Sequence, residues 1–412
     1  MKFAAVTYGT EGDARPLAAL CQALNAAGHE ATLLADAATL GSAKALGVKH
    51  EALAGDIRQT LLPGEAMSVA VQKKGGFNST AKALASIANA QASSWMEQTL
   101  EATAACDAII VSGLAAFVGL SVAERRRIPA IGTGFIPITP TSAFASPFLP
   151  PRKVPRCLNK VSQRIINELL WKAFRRSVND ARQRVCGLPP RKHVWSDHPM
   201  LYGLSPSLLP RPADWPANAH LCGQWNLPDS GWAPPRDLSA FLDAGPAPLY
   251  IGFGSMAGFS TNAFLHMLVD AVGGRRAVFH PGWSGIDPAA LPDNFHAINE
   301  VPHHWLFPRV SVVVHHGGAG TTHSAARAGV PSVVLPFAGD QFFWADRLQR
   351  LGVAVNTGAG KGLKSPALAR ALAHAESDDL RVRARVLGNR MSRENGTQVA
   401  LAAIETLMQA RA

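Results

Sequence analysis

Short uninterrupted apolar runs alternate along this chain with longer stretches in which apolar residues recur every third or fourth position. Phe3 to Thr7 is the first such run; it gives way to Gly9-Thr10-Glu11-Gly12-Asp13, after which Leu17, Leu20, Cys21 and Leu24 recur at helical spacing up to Gly28. This order predicts a strand, a loop and a helix stopped by glycine, and Ala31 to Ala35 predicts the next strand, so the first forty residues form a βαβ unit. Ala108 to Ser112 reads as a further strand, followed by a helix ending at Arg125 to Arg127 and a strand at Ala130 to Thr133. Such alternation implies a parallel sheet with helices on its faces.

The pattern then lapses. About nine of the 29 prolines fall between Pro206 and Pro248, interleaved with Trp215, Trp225 and Trp232, which marks a boundary. After it the alternation resumes: strand at Leu249 to Phe253, helix through Phe264 to Val272, strands at Ala277 to Phe279 and Val310 to Val314. We therefore divide the chain into a first domain over 1–215, a Pro-rich linker over 216–246, a second domain over 247–390 and a terminal helix within 391–412. Two α/β halves of similar size place the natural ligand site in the cleft between them.

Composition narrows the class. The 412 residues are 47% hydrophobic and 17% charged, enough apolar material for two cores and incompatible with a disordered or collagenous chain. The longest apolar runs fall far short of the ~20 residues that span a bilayer, and the stretch before Gly9 is too short for a signal-peptide core, so the expected location is the cytoplasm. Five dispersed cysteines, Cys21, Cys106, Cys157, Cys186 and Cys222, form no CxxC pair and suit reduced thiols. The net charge of +11 is concentrated: twelve Lys/Arg lie between Pro151 and Lys192 against Glu168 and Asp180. With Ile165, Ile166, Leu169, Leu170, Trp171 and Phe174 at helical spacing, this segment predicts a basic amphipathic helix pair. Its apolar stripe is expected to pack on its own domain, the alternative being peripheral contact with an anionic membrane. No motif of nucleic-acid binding accompanies the charge.

Chemistry is suggested first by Val314-His315-His316-Gly317-Gly318-Ala319-Gly320-Thr321-Thr322, which leaves a strand, crosses a glycine bend and enters a helix that Gly329 ends. Free N–H groups and the helix dipole at such a bend attract phosphate, and a threonine hydroxyl adds a donor. No lysine follows the glycines, so it is not a Walker A loop. Asp13 sits where a strand end meets a helix start; it can serve as a general base for a hydroxyl or as a helix cap. Gly9 and Gly12 before a helix, with Asp36 after the second strand, imitate a dinucleotide fingerprint without its GxGxxG spacing.

These residues together resemble a known family: the family 1 glycosyltransferases of the GT-B fold, in the branch of sterol glucosyltransferases, glycopeptide-antibiotic glycosyltransferases and the rhamnolipid rhamnosyltransferase. The resemblance rests on Gly9 to Pro16, Ser205 to Pro216, Val301-Pro302-His303, Trp305 to Pro308, His315 to Thr322 and Pro336 to Gln341. It implies two Rossmann-like domains facing across a cleft and a terminal helix that crosses back to the first. It implies Asp13 as general base, with inversion at the sugar, and Gly12 beside the phosphates. Donor binding is implied for Gly254, Ser255, His316, Gly318, Gly320, Thr321 and Thr322 at the diphosphate, Val301 through its backbone and Trp283 at the nucleotide, and Asp340 with Gln341 at the sugar. Glu300 and Ser324 stand where plant members carry a base-stacking tryptophan and a ribose-binding glutamate. The catalytic histidine of plant and animal members is missing.

The expected activity is transfer of a hexose, foremost glucose from UDP-glucose, to a hydroxyl of a lipophilic small molecule such as a sterol or polyketide. Ile57 to Met96 and Phe135 to Pro150 are the expected acceptor walls. No cofactor and no metal are expected, since no pair of carboxylates is placed to hold a cation against the diphosphate. The alternatives are a dTDP-rhamnose enzyme making a glycolipid, and a non-catalytic nucleotide-sugar-binding or lipid-docking protein.

Overall fold

The sequence Phe3-Ala4-Ala5-Val6 is buried along its whole length, as a strand must be when helices cover both faces of its sheet. The computed structural model describes residues 1–61, 76–228, 231–254, 261–282, 286–360 and 362–410. Its first half runs β1 (Lys2–Val6), α1 (Glu11–Ala26), β2 (Glu30–Asp36), α2 (Gly41–Ala45), β3 (Lys49–Leu53), α3 (Ile57–Leu61), α4 (Gly76–Ala102), β4 (Ala108–Val111), α5 (Ala116–Arg126), β5 (Ala130–Gly134), α6 (Asn159–Cys186), β6 (Met200–Tyr202) and β7 (Ala219–Leu221). The second half runs α7 (Arg236–Asp243), β8 (Leu249–Gly252), α8 (Thr261–Val272), β9 (Ala277–His280), β10 (Phe295–Ala297), α9 (His303–Leu306), β11 (Val312–His315), α10 (Ala319–Arg327), β12 (Ser332–Val334), α11 (Gln341–Arg350), β13 (Ala354–Asn356), α12 (Ser365–Ala375), α13 (Asp378–Met391) and α14 (Gly396–Gln409).

Two parallel sheets result. The first has seven strands in the order β3-β2-β1-β4-β5-β6-β7, the second six in the order β10-β9-β8-β11-β12-β13. Each is therefore built outward from a first strand whose neighbours lead in opposite directions, so the loops after β1 and β4, and after β8 and β11, diverge and leave a crevice. The expected doubly wound, two-domain α/β fold is present. Gly28, with φ +84°, stops α1, and Gly329, with φ +70°, stops α10, as the sequence predicts.

Two readings are corrected. Strand β7 pairs with β6 through Met200↔Ala219 and Tyr202↔Leu221, so the first sheet continues past residue 215 into the segment read as linker. Three residues among prolines are too few to show a period. The basic segment forms one continuous helix, α6, rather than a pair, and only part of its apolar surface packs inward: Trp171 and Val178 are buried, whereas Val161, Ile165 and Leu169 are exposed.

The terminal helix α14 lies against α1, with Ala400, Leu401 and Ile404 in the same core cluster as Leu17, Leu20 and Leu24. Glu405 Oε1 is 3.1 Å from His29 Nε2. Ser205 Oγ, in the motif that ends at Pro216, donates to Glu394 Oε1 at 2.8 Å, securing the returning segment from the other side. No described helix is long and apolar enough to cross a membrane.

Candidate active site

The carboxyl ends of both sheets open into one cleft of about 2900 Å³, lined from the first half by Gly9, Gly12 and Asp13 and from the second by Gly254, His316, Gly318, Gly320, Thr321, Asp340 and Gln341. Residues more than 300 positions apart in sequence thus share one space.

Asp13 occupies the third position of α1 and is half-buried. Its Oδ2 accepts the Thr10 N–H at 3.0 Å, one half of a capping box, which fixes the carboxyl at the helix start. Both readings of this residue therefore hold in geometry: it caps the helix and it faces the cleft. Burial pushes its carboxyl up to about 6, against the opposing pull of the Thr10 N–H. Gly9 matters to this arrangement, since a Cβ there would overlap the Asp13 carboxyl and stand 2.6 Å from its Cγ.

On the opposite wall, Gly317 makes the bend with φ +91°, and a Cβ on it would meet the Gln341 carbonyl at 2.9 Å. Helix α10 then starts at Ala319 with Gly318 as its N-cap in extended conformation, and its first-turn residues Ala319, Gly320 and Thr321 line the cleft. His316 lies between Gly254 and Gly318: a Cβ on Gly254 would be 3.3 Å from its Cε1. Burial lowers His316 to about 4, so the imidazole is neutral at physiological pH, and its Nδ1 is buried without a hydrogen-bond partner. His315 accepts the Gly317 N–H at Nδ1, 3.1 Å, which puts its own proton on Nε2. It braces the bend from beneath.

Asp340 precedes α11 and receives the Trp344 indole N–H at 3.0 Å. Burial, with a further contribution from the negative charge of Asp13, raises its carboxyl to about 7. The two carboxylates therefore sense one another across the cleft. Gln341 Oε1 accepts the N–H groups of Phe337 at 2.8 Å and Ala338 at 3.0 Å, so this side chain shapes the loop that carries Asp340.

Two expected donor residues turn their side chains away from the cleft, which leaves the contact expected of Val301, through its backbone, untouched. The Val301 side chain is buried with Tyr250, Leu306 and Phe307, while its neighbours Glu300 and Pro302 line the cleft. Thr322 is fully buried and its N–H bonds the Gly318 carbonyl, so Thr321 is the hydroxyl that reaches the cleft. A helical residue one step further round faces the sheet, which spacing alone does not show. Ser255 and Trp283 lie outside the described residues.

The partners that Glu300 and Ser324 find in the cleft are not visible in the sequence. Arg15 Nη2 meets Glu300 Oε2 at 3.0 Å, an ion pair between the two halves, and His280 Nε2 lies 3.7 Å from the other Glu300 oxygen. Arg15 stands inside the Gly9 to Pro16 motif, and only its partner's distance in sequence hides the pairing. Gln224 Nε2 donates to Ser324 Oγ at 3.2 Å beside the bend. Gln224 follows β7 in a Pro-rich stretch without periodicity, and nothing in the sequence singles it out. Among the described residues no three His, Cys, Asp or Glu side chains gather as a metal-ligand set.

Comparison with known proteins agrees with this geometry. Residues 277–406 match the family described as Erythromycin biosynthesis protein CIII-like, C-terminal domain. The chain is 33% identical over 450 residues to a sterol 3-beta-glucosyltransferase of Cryptococcus neoformans var. neoformans serotype D, and 32% identical over 427 residues to that of Emericella nidulans. These alignments cover 98% of this chain but only 27% and 30% of those proteins, so the chain spans less than a third of the curated relatives it matches. Among solved structures it superposes on the glycosyltransferase VinC in complex with dTDP with TM-score 0.67 and 18% identity, covering all of both chains. The spinosyn rhamnosyltransferase SpnG gives TM-score 0.61 and 18% identity over 98% of this chain and 100% of that one. The chain thus has the two-sheet fold of these glycosyltransferase structures, its residues 277–406 match the CIII-like C-terminal domain, and along nearly its whole length it is similar to part of the sterol glucosyltransferases.

Proposed function

We propose that the chain transfers a hexose, foremost glucose from UDP-glucose, to a hydroxyl of a lipophilic acceptor, with inversion and without a metal ion. The observation that carries this is the meeting of Asp13 with the α10 bend and Asp340 in one cleft. Asp13, ionised above about pH 6, takes the proton of the acceptor hydroxyl as its oxygen attacks the anomeric carbon. The bond from that carbon to the diphosphate breaks on the far side, and the negative charge gathering on the leaving phosphate meets the free N–H groups of the α10 start and the Thr321 hydroxyl. Asp340 bonds hydroxyls of the sugar. The neutral His316 adds a polar contact near the phosphates without a formal charge.

Acceptor walls fit an apolar guest: Ala83, Leu84, Phe135, Ile136, Phe148 and Leu149 line the first-half side of the cleft. The sterol glucosyltransferase relatives support glucose and a sterol-like acceptor. A second reading, a dTDP-sugar donor, is favoured by the likeness to VinC, solved with dTDP.

Thermal-shift titration with UDP, dTDP and their sugars decides between the donors, because the true donor raises the melting temperature by mass action. With that donor, Asp13→Ala lowers kcat by about 10²-fold or more at unchanged donor affinity. Activity of the unaltered protein falls as pH drops through about 6, as protonation silences the base. Turnover persists in EDTA. Unchanged turnover in Asp13→Ala removes the base assignment, and loss in EDTA with rescue by magnesium removes the metal-free mechanism.

A further inference from the structure

Helix α6 has two apolar stripes. Trp171, Val178 and Ala181 face the core, whereas Leu158, at the N-cap, and Val161, Ile165 and Leu169 of the helix, spaced by three, four and four residues, form a line on the opposite side. These four are 45 to 54% exposed, and with Leu170 they are five of the nine large hydrophobic side chains exposed among the described residues. Polar or small residues would be expected on the solvent face of a helix that had only its own domain to pack against.

The charge around the stripe has one dominant sign. Lys172 and Arg176 continue the same line by a further turn, Arg164 and Arg175 flank it, and Lys153 and Arg156 precede it. All six lack an ion-pair partner among the described residues; Lys160 and Arg152, by contrast, are paired with Asp214 and Asp346. Glu168 is the acidic side chain on this face and lies 3.7 Å from His193 Nδ1. An apolar line bordered by unpaired cations matches an anionic lipid surface, whose acyl region takes the leucines and whose headgroups take the arginines and lysines. A 28-residue helix with no window apolar enough to span a bilayer suits lying along one.

Position adds a reason. The flank of α6 and the loop before it supply Phe148, Leu149, Lys160, Ile166, Leu169 and Leu170 to the cleft wall, so the exposed stripe borders the first-half entrance to the cleft. We propose that the Leu158 to Arg176 face of α6 docks on anionic membrane and holds the cleft entrance at the bilayer surface, where a lipophilic acceptor resides. The docking stands on charge and exposure alone; the delivery of acceptor rests on the function proposed above.

Vesicles test both. The purified protein is co-sedimented with phosphatidylcholine vesicles with and without about 30% phosphatidylglycerol, at low salt and near 0.5 M salt. Binding is expected only to the anionic vesicles, released by salt. Val161→Glu/Ile165→Glu, and separately Arg156→Glu/Arg175→Glu/Arg176→Glu, should each weaken partition by about tenfold or more, with melting temperature and nucleotide-induced thermal shift kept. None of these residues lines the cleft. Absence of anionic-vesicle binding in the unaltered protein overturns the proposal. So does binding that the charge variant loses and the apolar variant retains, since that marks a general polyanion site, or light scattering that shows the stripe buried between two copies. If docking holds but a sterol embedded in anionic vesicles is glucosylated no faster than in neutral ones, the docking stands and the delivery role falls.

Discussion

A methyl group at position 9 would overlap the Asp13 carboxyl, and the rest of α1 is too well packed to yield. Gly9→Ala is therefore expected to turn the carboxyl out of line, lowering kcat by about tenfold or more while donor KM stays within about twofold; steady-state kinetics with varied donor check this. Asp340 offers a test that needs no substrate. Its carboxyl binds a proton more tightly in the folded protein, at about 7, than a carboxyl in an unfolded chain, so its contribution to stability is complete below the ordinary value near 4 and is lost as pH rises through about 7. Asp340→Asn removes that loss and keeps an oxygen to accept the Trp344 indole N–H. Relative to the unaltered protein its melting temperature should be higher by roughly 2 °C or more at pH 8 than the same difference at pH 5. At this scale the sequence was informative wherever chemistry was contiguous, as in Gly9 to Asp13 and His315 to Thr321. It was silent on Arg15 with Glu300, whose 285-residue separation carries no periodic trace.

The element that makes an anion site is the start of α10, and Gly320 allows it to be probed without steric side effects, because a Cβ there would touch nothing within 4 Å. A carboxylate in a first helical turn favours the helix, yet here it would repel a diphosphate. Gly320→Asp is expected to melt no lower than the unaltered protein while its donor affinity falls about tenfold or more, as isothermal titration would show. Central strands such as β1, β8 and β11 were legible because burial on both faces makes them unbroken apolar runs. Strand β7 was not, because three residues hold no period. In α6 the helical spacing was legible but not its outcome: two stripes share the same recurrence, and only the packing of Trp171 and Val178 shows which meets the core.

Among the described residues, Arg15 with Glu300 and Gln224 with Ser324 are polar contacts that join the two halves at the cleft. The Arg15 and Glu300 side chains are 37% and 70% exposed, and a pair so open to water contributes at most about 1 kcal/mol. Glu300→Gln should thus leave the melting temperature within about 2 °C while raising donor KM, if the carboxylate stands beside the nucleotide; differential scanning calorimetry and kinetics separate the two effects. The firmer connection is α14, which places Ala400, Leu401 and Ile404 among the side chains of α1. During synthesis those side chains emerge long after β1 and α1 have left the ribosome. An apolar groove on the first domain therefore stays uncovered until α14 follows, and a growing chain that meets another at that stage has a ready place to join it wrongly.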